Sequence, residues 1–198
     1  MDFKALIIIM MSAALVNNYV LRKFLAVCPF LGVSKELKSS VGMGFAVLFV
    51  MVVATAATWP IYHFILAANG LGFMQTVVFI VIIATLVQLV EIVLKRYIPA
   101  LYKSLGIFLP LMTTNCAVFA VTLTNINSEL TYIESLVNSL GAGIGFLLAI
   151  VLFTNVRQKI ESANPPEPFK GAPIMLISAA ILSLAFFAFE GVIENLFK

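Results

Sequence analysis

Ser40 to Gly44 reads SVGMG, and Ser139 to Gly143 reads SLGAG. The two stretches lie 99 residues apart, half the length of a 198-residue chain. The same offset carries Glu91, in the context VEIV, onto Glu190, in the context FEGV. Two cysteines, Cys28 and Cys116, each sit in an apolar segment ahead of one Ser-x-Gly-x-Gly stretch. Their offset is 88, so the second half carries about 11 more residues in its first connector. Small residues also recur at contacts between membrane helices without any repeat. Four positions at one spacing favour an internal repeat, with repeat one at about 1–99 and repeat two at about 100–198 of a single membrane domain.

Composition places that repeat in lipid. Hydrophobic residues make up 62% of the chain and charged residues 11%, against roughly 45–50% and 25% in soluble domains. A water-soluble globule, a disordered chain and a nucleic-acid binder are excluded. The surplus apolar surface must face lipid.

Six apolar stretches follow one another: about 5–33, 41–67, 75–94, 105–123, 132–153 and 172–193. A crossing takes about 20 residues, so the sequence predicts an all-α polytopic membrane protein with six transmembrane helices. Each half then holds three crossings. Three is odd, so the second half enters from the opposite face, giving an inverted 3+3 repeat with broken first and fourth helices.

Orientation follows from the basic residues. Three alternate connectors carry Lys35, Lys38, Lys95, Arg96, Lys103, Arg157, Lys159 and Lys170, against Lys4 and Lys198 on the other side. That bias puts the three connectors in the cytoplasm and both termini on the outer side of a bacterial inner membrane. Trp59 and Tyr62 then fall at the outer interface. His63, beside them, reads as an interfacial residue, because a histidine metal site needs partner ligands nearby. No secretory signal reads at the N-terminus, since the apolar run after Lys4 has no small-residue cleavage site.

The cysteine segments read FLAVCPFLGVSK and GIFLPLMTTNCAVFAV. Pro29 and Gly32 interrupt the first; Pro110, Thr113, Thr114 and Asn115 interrupt the second. Proline removes a backbone donor, and irregular backbone at membrane depth survives only inside protein or along a cavity. A lone membrane cysteine is ordinarily a small hydrophobe. Two at corresponding positions on broken backbone point instead to a metal or iron–sulfur site. A cluster commonly takes four cysteine ligands, so two would come from a second chain. Arg22 and Lys23 lie close enough before Cys28 to compensate thiolate charge; snorkelling to an interface explains them equally well.

NNYVLRKFLAVCPFLGVSK, LGIFLPLMTTNCAVFAV, SLGAGIGF and PFKGAPIMLISAAILSLAF together resemble the A-type subunit family of the Rnf electron transport complex, over essentially the whole chain. A close relative is the E-type subunit of the sodium-pumping NADH:quinone reductase, which is the alternative membership. NNYVL, CPF, TTNCAV and PEPFKG favour the Rnf side. FAV after Cys116, where many Rnf members have LGV, is a departure. The resemblance implies one membrane component of an ion-translocating ferredoxin:NAD oxidoreductase, coupled to Na+ or H+ transport and lacking a complete active site of its own. It implies that Cys28 and Cys116 ligate a [2Fe-2S] cluster shared with the homologous E-type subunit, among other Rnf subunits. The chain shows no nucleotide loop and no flavin motif. A different class, a non-redox inverted-repeat transporter, would use Glu91 and Glu190 on an ion path, since intramembrane carboxylates are functional candidates.

Overall fold

The computed structural model describes residues 3–27, 31–32, 34, 36–68, 70, 72–97, 115–163, 166 and 169–196. Every regular element among them is helical: α1 (Phe3–Met11), α2 (Leu37–Ile61), α3 (Gln75–Tyr97), α4 (Cys116–Asn127), α5 (Tyr132–Ser162) and α6 (Ala172–Leu196). Wider π turns extend α1 through Ser12–Val16 and α2 through Tyr62–Leu66. The second of these follows Pro60, which cannot donate into the regular ladder.

The expectation of six membrane-spanning helices is not met. Among the described residues three helices are long and apolar enough to cross a bilayer: Leu37–Leu66, Gly72–Tyr97 and Tyr132–Ile160, with 30, 26 and 29 residues. The other apolar helices, Leu6–Val16, Cys116–Asn127 and Ala172–Phe187, have 10–17 residues. The inverted 3+3 arrangement of crossings falls with that count. At two of these shorter helices a polar residue marks an end. Asn17 closes the first helix, its backbone N–H donating to the Ser12 carbonyl at 2.7 Å. Asn115 starts α4 by capping it.

The core is the crossing of α2 and α5, which run antiparallel. Ser40 is hydrogen-bonded to Thr154 at 2.8 Å, and Thr55 to Ser139 at 2.6 Å. Between these ties the helices touch at glycine. A Cβ on Gly44 would meet the Leu147 side chain at 2.7 Å, and one on Gly143 would meet Leu48 at 2.8 Å. These contacts are reciprocal: moving every residue by 99 positions exchanges Ser40 with Ser139, Thr55 with Thr154, Gly44 with Gly143 and Leu48 with Leu147. Met43, Val47, Met51, Phe146, Ile150 and Phe153 fill the seam and are fully buried.

The opposite side of α5 receives α1. A Cβ on Gly141 would lie 2.5 Å from the Met10 carbonyl oxygen, and one on Gly145 would lie 2.7 Å from that of Ala14. This is the small-xxx-small surface by which membrane helices approach to backbone distance. α3 returns beside α2 after a short turn, burying Phe79, Ile83 and Val87 and exposing Val77, Ile80, Val81, Leu89 and Ile92. Such a broad apolar exposure suits lipid or another membrane protein.

Candidate functional site

Residues 17–27, which follow the first helix, form a folded-in turn and not a spanning helix. Asn18, Tyr19, Val20, Leu21 and Ala26 are buried. Irregular backbone needs polar partners, and this segment finds them inside the protein. Asn18 Oδ1 accepts from the N–H groups of Val20 and Leu21 at 3.0 and 3.3 Å. Asn18 Nδ2 donates to the carbonyls of Gly145 at 2.9 Å and Ala14 at 3.2 Å. Ser183 of α6 donates to the Leu21 carbonyl. Phe24 and Ala26 hold φ of 51° and 64°, a left-handed conformation that side chains rarely adopt. Ala26 is buried there and Phe24 is exposed. Cys28 follows two residues after Ala26 and lies outside the described residues, as do Pro29 and Phe30.

Downstream of that cysteine the chain is tied again. Arg157, only 6% exposed, donates to the Leu31 carbonyl and to Ser34 Oγ, both at 2.8 Å. By sequence Arg157 counts as a charge on a surface connector. The structure places it in α5, reaching across to the segment after Cys28. Nothing in the local pattern marks that reach.

The second cysteine is described. Cys116 is the first residue of α4 and is exposed. Asn115 before it is 3% exposed. Its Oδ1 accepts from the Ala117 N–H at 3.0 Å, the usual duty of an N-cap. That bond fixes which end of the amide is oxygen. The other end, Nδ2, is buried and has no hydrogen-bond partner among the described residues. A buried, unmet donor costs about 1–3 kcal/mol, so its position calls for an acceptor. Ala117 and Val118 are fully buried, in the same core cluster as Leu21 and Ala26. One core therefore holds Leu21 and Ala26, ahead of the first cysteine, and Ala117 and Val118, after the second, while Cys116 itself is exposed.

The remaining sequence candidates take separate places. Arg22 is exposed and donates to Asn17 Oδ1 at 2.8 Å. Lys23 lies over the Tyr19 ring, 4.5 Å from its centre. It lines a cavity of about 340 Å³ with Asn17, Tyr19, Thr124 and Asn138. Thr124 belongs to the far end of α4 from Cys116. Glu91 is half-buried on α3, and Glu190 falls within α6. His63 is exposed and stacks on Trp59, with ring centres 4.2 Å apart. Trp59 also donates to the Leu130 carbonyl at 3.0 Å and meets the Tyr132 ring edge-on at 5.3 Å.

Long apolar helices and glycine-mediated helix contacts define a multi-pass membrane protein. Residues 6–193 match the family described as Rnf-Nqr subunit, membrane protein, and the chain belongs to that family. It is similar to the A-type subunit of the Na(+)-translocating ferredoxin:NAD(+) oxidoreductase complex of Acetobacterium woodii, with 51% identity over 94% of this chain and 97% of the relative. The A-type subunit of the ion-translocating oxidoreductase complex of Syntrophotalea carbinolica is 48% identical over 97% of this chain and 100% of that one. Its counterpart in the ion-translocating oxidoreductase complex of Proteus mirabilis is 48% identical over 95% and 97%.

Proposed function

We propose that this chain is the membrane-embedded A-type subunit of an ion-translocating ferredoxin:NAD oxidoreductase complex in a bacterial inner membrane. It has no active site of its own. It holds half the ligands of a [2Fe-2S] cluster, Cys28 and Cys116, and the homologous E-type subunit supplies the other half. When bound, the cluster would carry one electron at a time across the low-dielectric interior, coupled to Na+ or H+ movement.

The observation that carries this reading is the pairing of an exposed Cys116 with a buried Asn115 donor, unmet among the described residues, at one helix N-terminus. The donor set fits the cluster: thiolates suit iron–sulfur chemistry, and an outward-facing cysteine can reach ligands on a second chain. The helix N-terminus adds partial positive charge beside a thiolate. Asn18 and Ser183 hold the backbone before Cys28, and Arg157 holds it after, so this chain's own groups fix both approaches to that ligand.

Orientation belongs to the same proposal. The antiparallel α2 and α5 bring Lys38 and Lys159 to one end of the bundle, and Trp59 and Tyr132 to the other. Basic residues favour the cytoplasmic side and aromatic residues the interfaces. The test of assembly is iron per chain, purified anaerobically. Little iron in the isolated chain and a stoichiometric cluster on co-expression with the homologue is the expected result. A full cluster in a pure homodimer would contradict the shared-ligand reading.

A further inference from the structure

Asn115 has two polar ends, and they are not equivalent. Oδ1 is committed to the Ala117 N–H at 3.0 Å. That bond pins the amide across the first turn of α4, so Nδ2 cannot swing away without uncapping the helix. Nδ2 is buried, on the residue adjacent to Cys116, and has no partner among the described residues. Buried donors in folded proteins are nearly always met. What meets this one must be an acceptor brought by something other than the described side chains.

We infer that Asn115 sets the reduction potential of the site, its Nδ2 donating to a sulfur of the cluster that Cys116 ligates, while its Oδ1 keeps the helix capped. The inference rests on the reading of Cys116 as a cluster ligand. Hydrogen bonds to sulfur are one of the levers by which a protein sets such a potential. The reduced form carries one more negative charge than the oxidised form, so a donor stabilises it more and raises the potential. A helix cap alone would leave the potential unchanged.

The cap and the donor can be separated. Asn115→Thr and Asn115→Ser keep a capping oxygen and remove the amide nitrogen. Asn115→Asp keeps the cap and replaces the donor with an acceptor. The experiment uses the whole complex, poised at the potential where the unaltered site is half reduced and read by EPR. In Asn115→Thr the oxidised-to-reduced ratio should rise about tenfold, which is 59 mV for a one-electron couple. Asn115→Asp should move it further the same way. A second readout needs no variant: asparagine labelled with 15N at the side-chain amide should give a nitrogen coupling to the reduced cluster.

An unchanged ratio in Asn115→Thr overturns the inference. So does an absent 15N coupling, or one that persists in Asn115→Thr. Should every variant lose the cluster, the label in the unaltered complex decides alone. Failure of the underlying reading looks different: the signal would survive Cys116→Ser. If Cys116→Ser loses the signal while the Asn115 variants titrate normally, only the role of Asn115 falls.

Discussion

Gly141→Ala adds one methyl group where a described glycine has the least room for one. Its Cβ would stand 2.5 Å from the Met10 carbonyl oxygen, and 3.1 Å from both Met10 Cα and Ala13 Cβ. A carbon normally stays roughly 3.3 Å from such an oxygen, so α1 must retreat by about 0.8 Å. Two of the three atoms met are backbone, and no rotamer change relieves them. Overpacking of this kind costs about 1–3 kcal/mol. For a chain of this size the midpoint of thermal unfolding should drop by several degrees, on the order of 5 °C. Gly44→Ala should cost less, because the atom it meets first is the end of the Leu147 side chain, at 2.7 Å. Gly72→Ala, with nothing within 4 Å, is the control and should be silent. The assay heats the purified protein in mild detergent and measures the fraction left soluble. A Gly141→Ala protein as stable as Gly72→Ala would refute backbone contact between α1 and α5.

Asn18→Leu should cost roughly 2–3 kcal/mol, measured the same way, because it orphans the Val20 and Leu21 N–H groups and removes the tie to the Gly145 carbonyl. A double-mutant cycle on Ser40→Ala and Thr154→Val should return a coupling of about 0.6 kcal/mol; zero coupling would mean that the 2.8 Å hydrogen bond contributes nothing. A cysteine placed at Gly70 should react with an impermeant thiol reagent from outside intact cells, and one at Ser162 only after lysis; the reverse pattern would invert the proposed orientation.

The long helices are legible in the sequence. The apolar stretches at about 41–67, 75–94 and 132–153 correspond to helices at Leu37–Leu66, Gly72–Tyr97 and Tyr132–Ile160. Where hydropathy overreaches, the reason is specific. The stretch at about 5–33 reads as one interrupted crossing, because an average over some 20 residues weighs Asn17 and Asn18 as two polar residues among many. The structure uses them as a stop and as the scaffold of a buried turn. The partners of that turn, Gly145 and Ser183, lie over 120 residues away, and no local pattern announces them. The site is half legible. TTNC is recognisable as a motif, and Asn115 stands inside it, yet only the fold reveals that one end of its amide is spent on Ala117 and the other is unmet among the described residues. Arg157 looks like an orienting charge and proves to be a buried clamp on Leu31 and Ser34.

The central claim is that Cys28 and Cys116 ligate an iron–sulfur cluster completed by a partner. The most direct measurement is EPR, with iron counted, on the anaerobically purified and reduced complex carrying Cys28→Ser or Cys116→Ser. Serine is nearly the same size but a poor ligand for soft iron–sulfur chemistry. Each single variant should assemble into the membrane and lose the [2Fe-2S] signal together with about two irons per complex. A complex with Cys116→Ser that keeps the full signal and the full iron count would contradict the account.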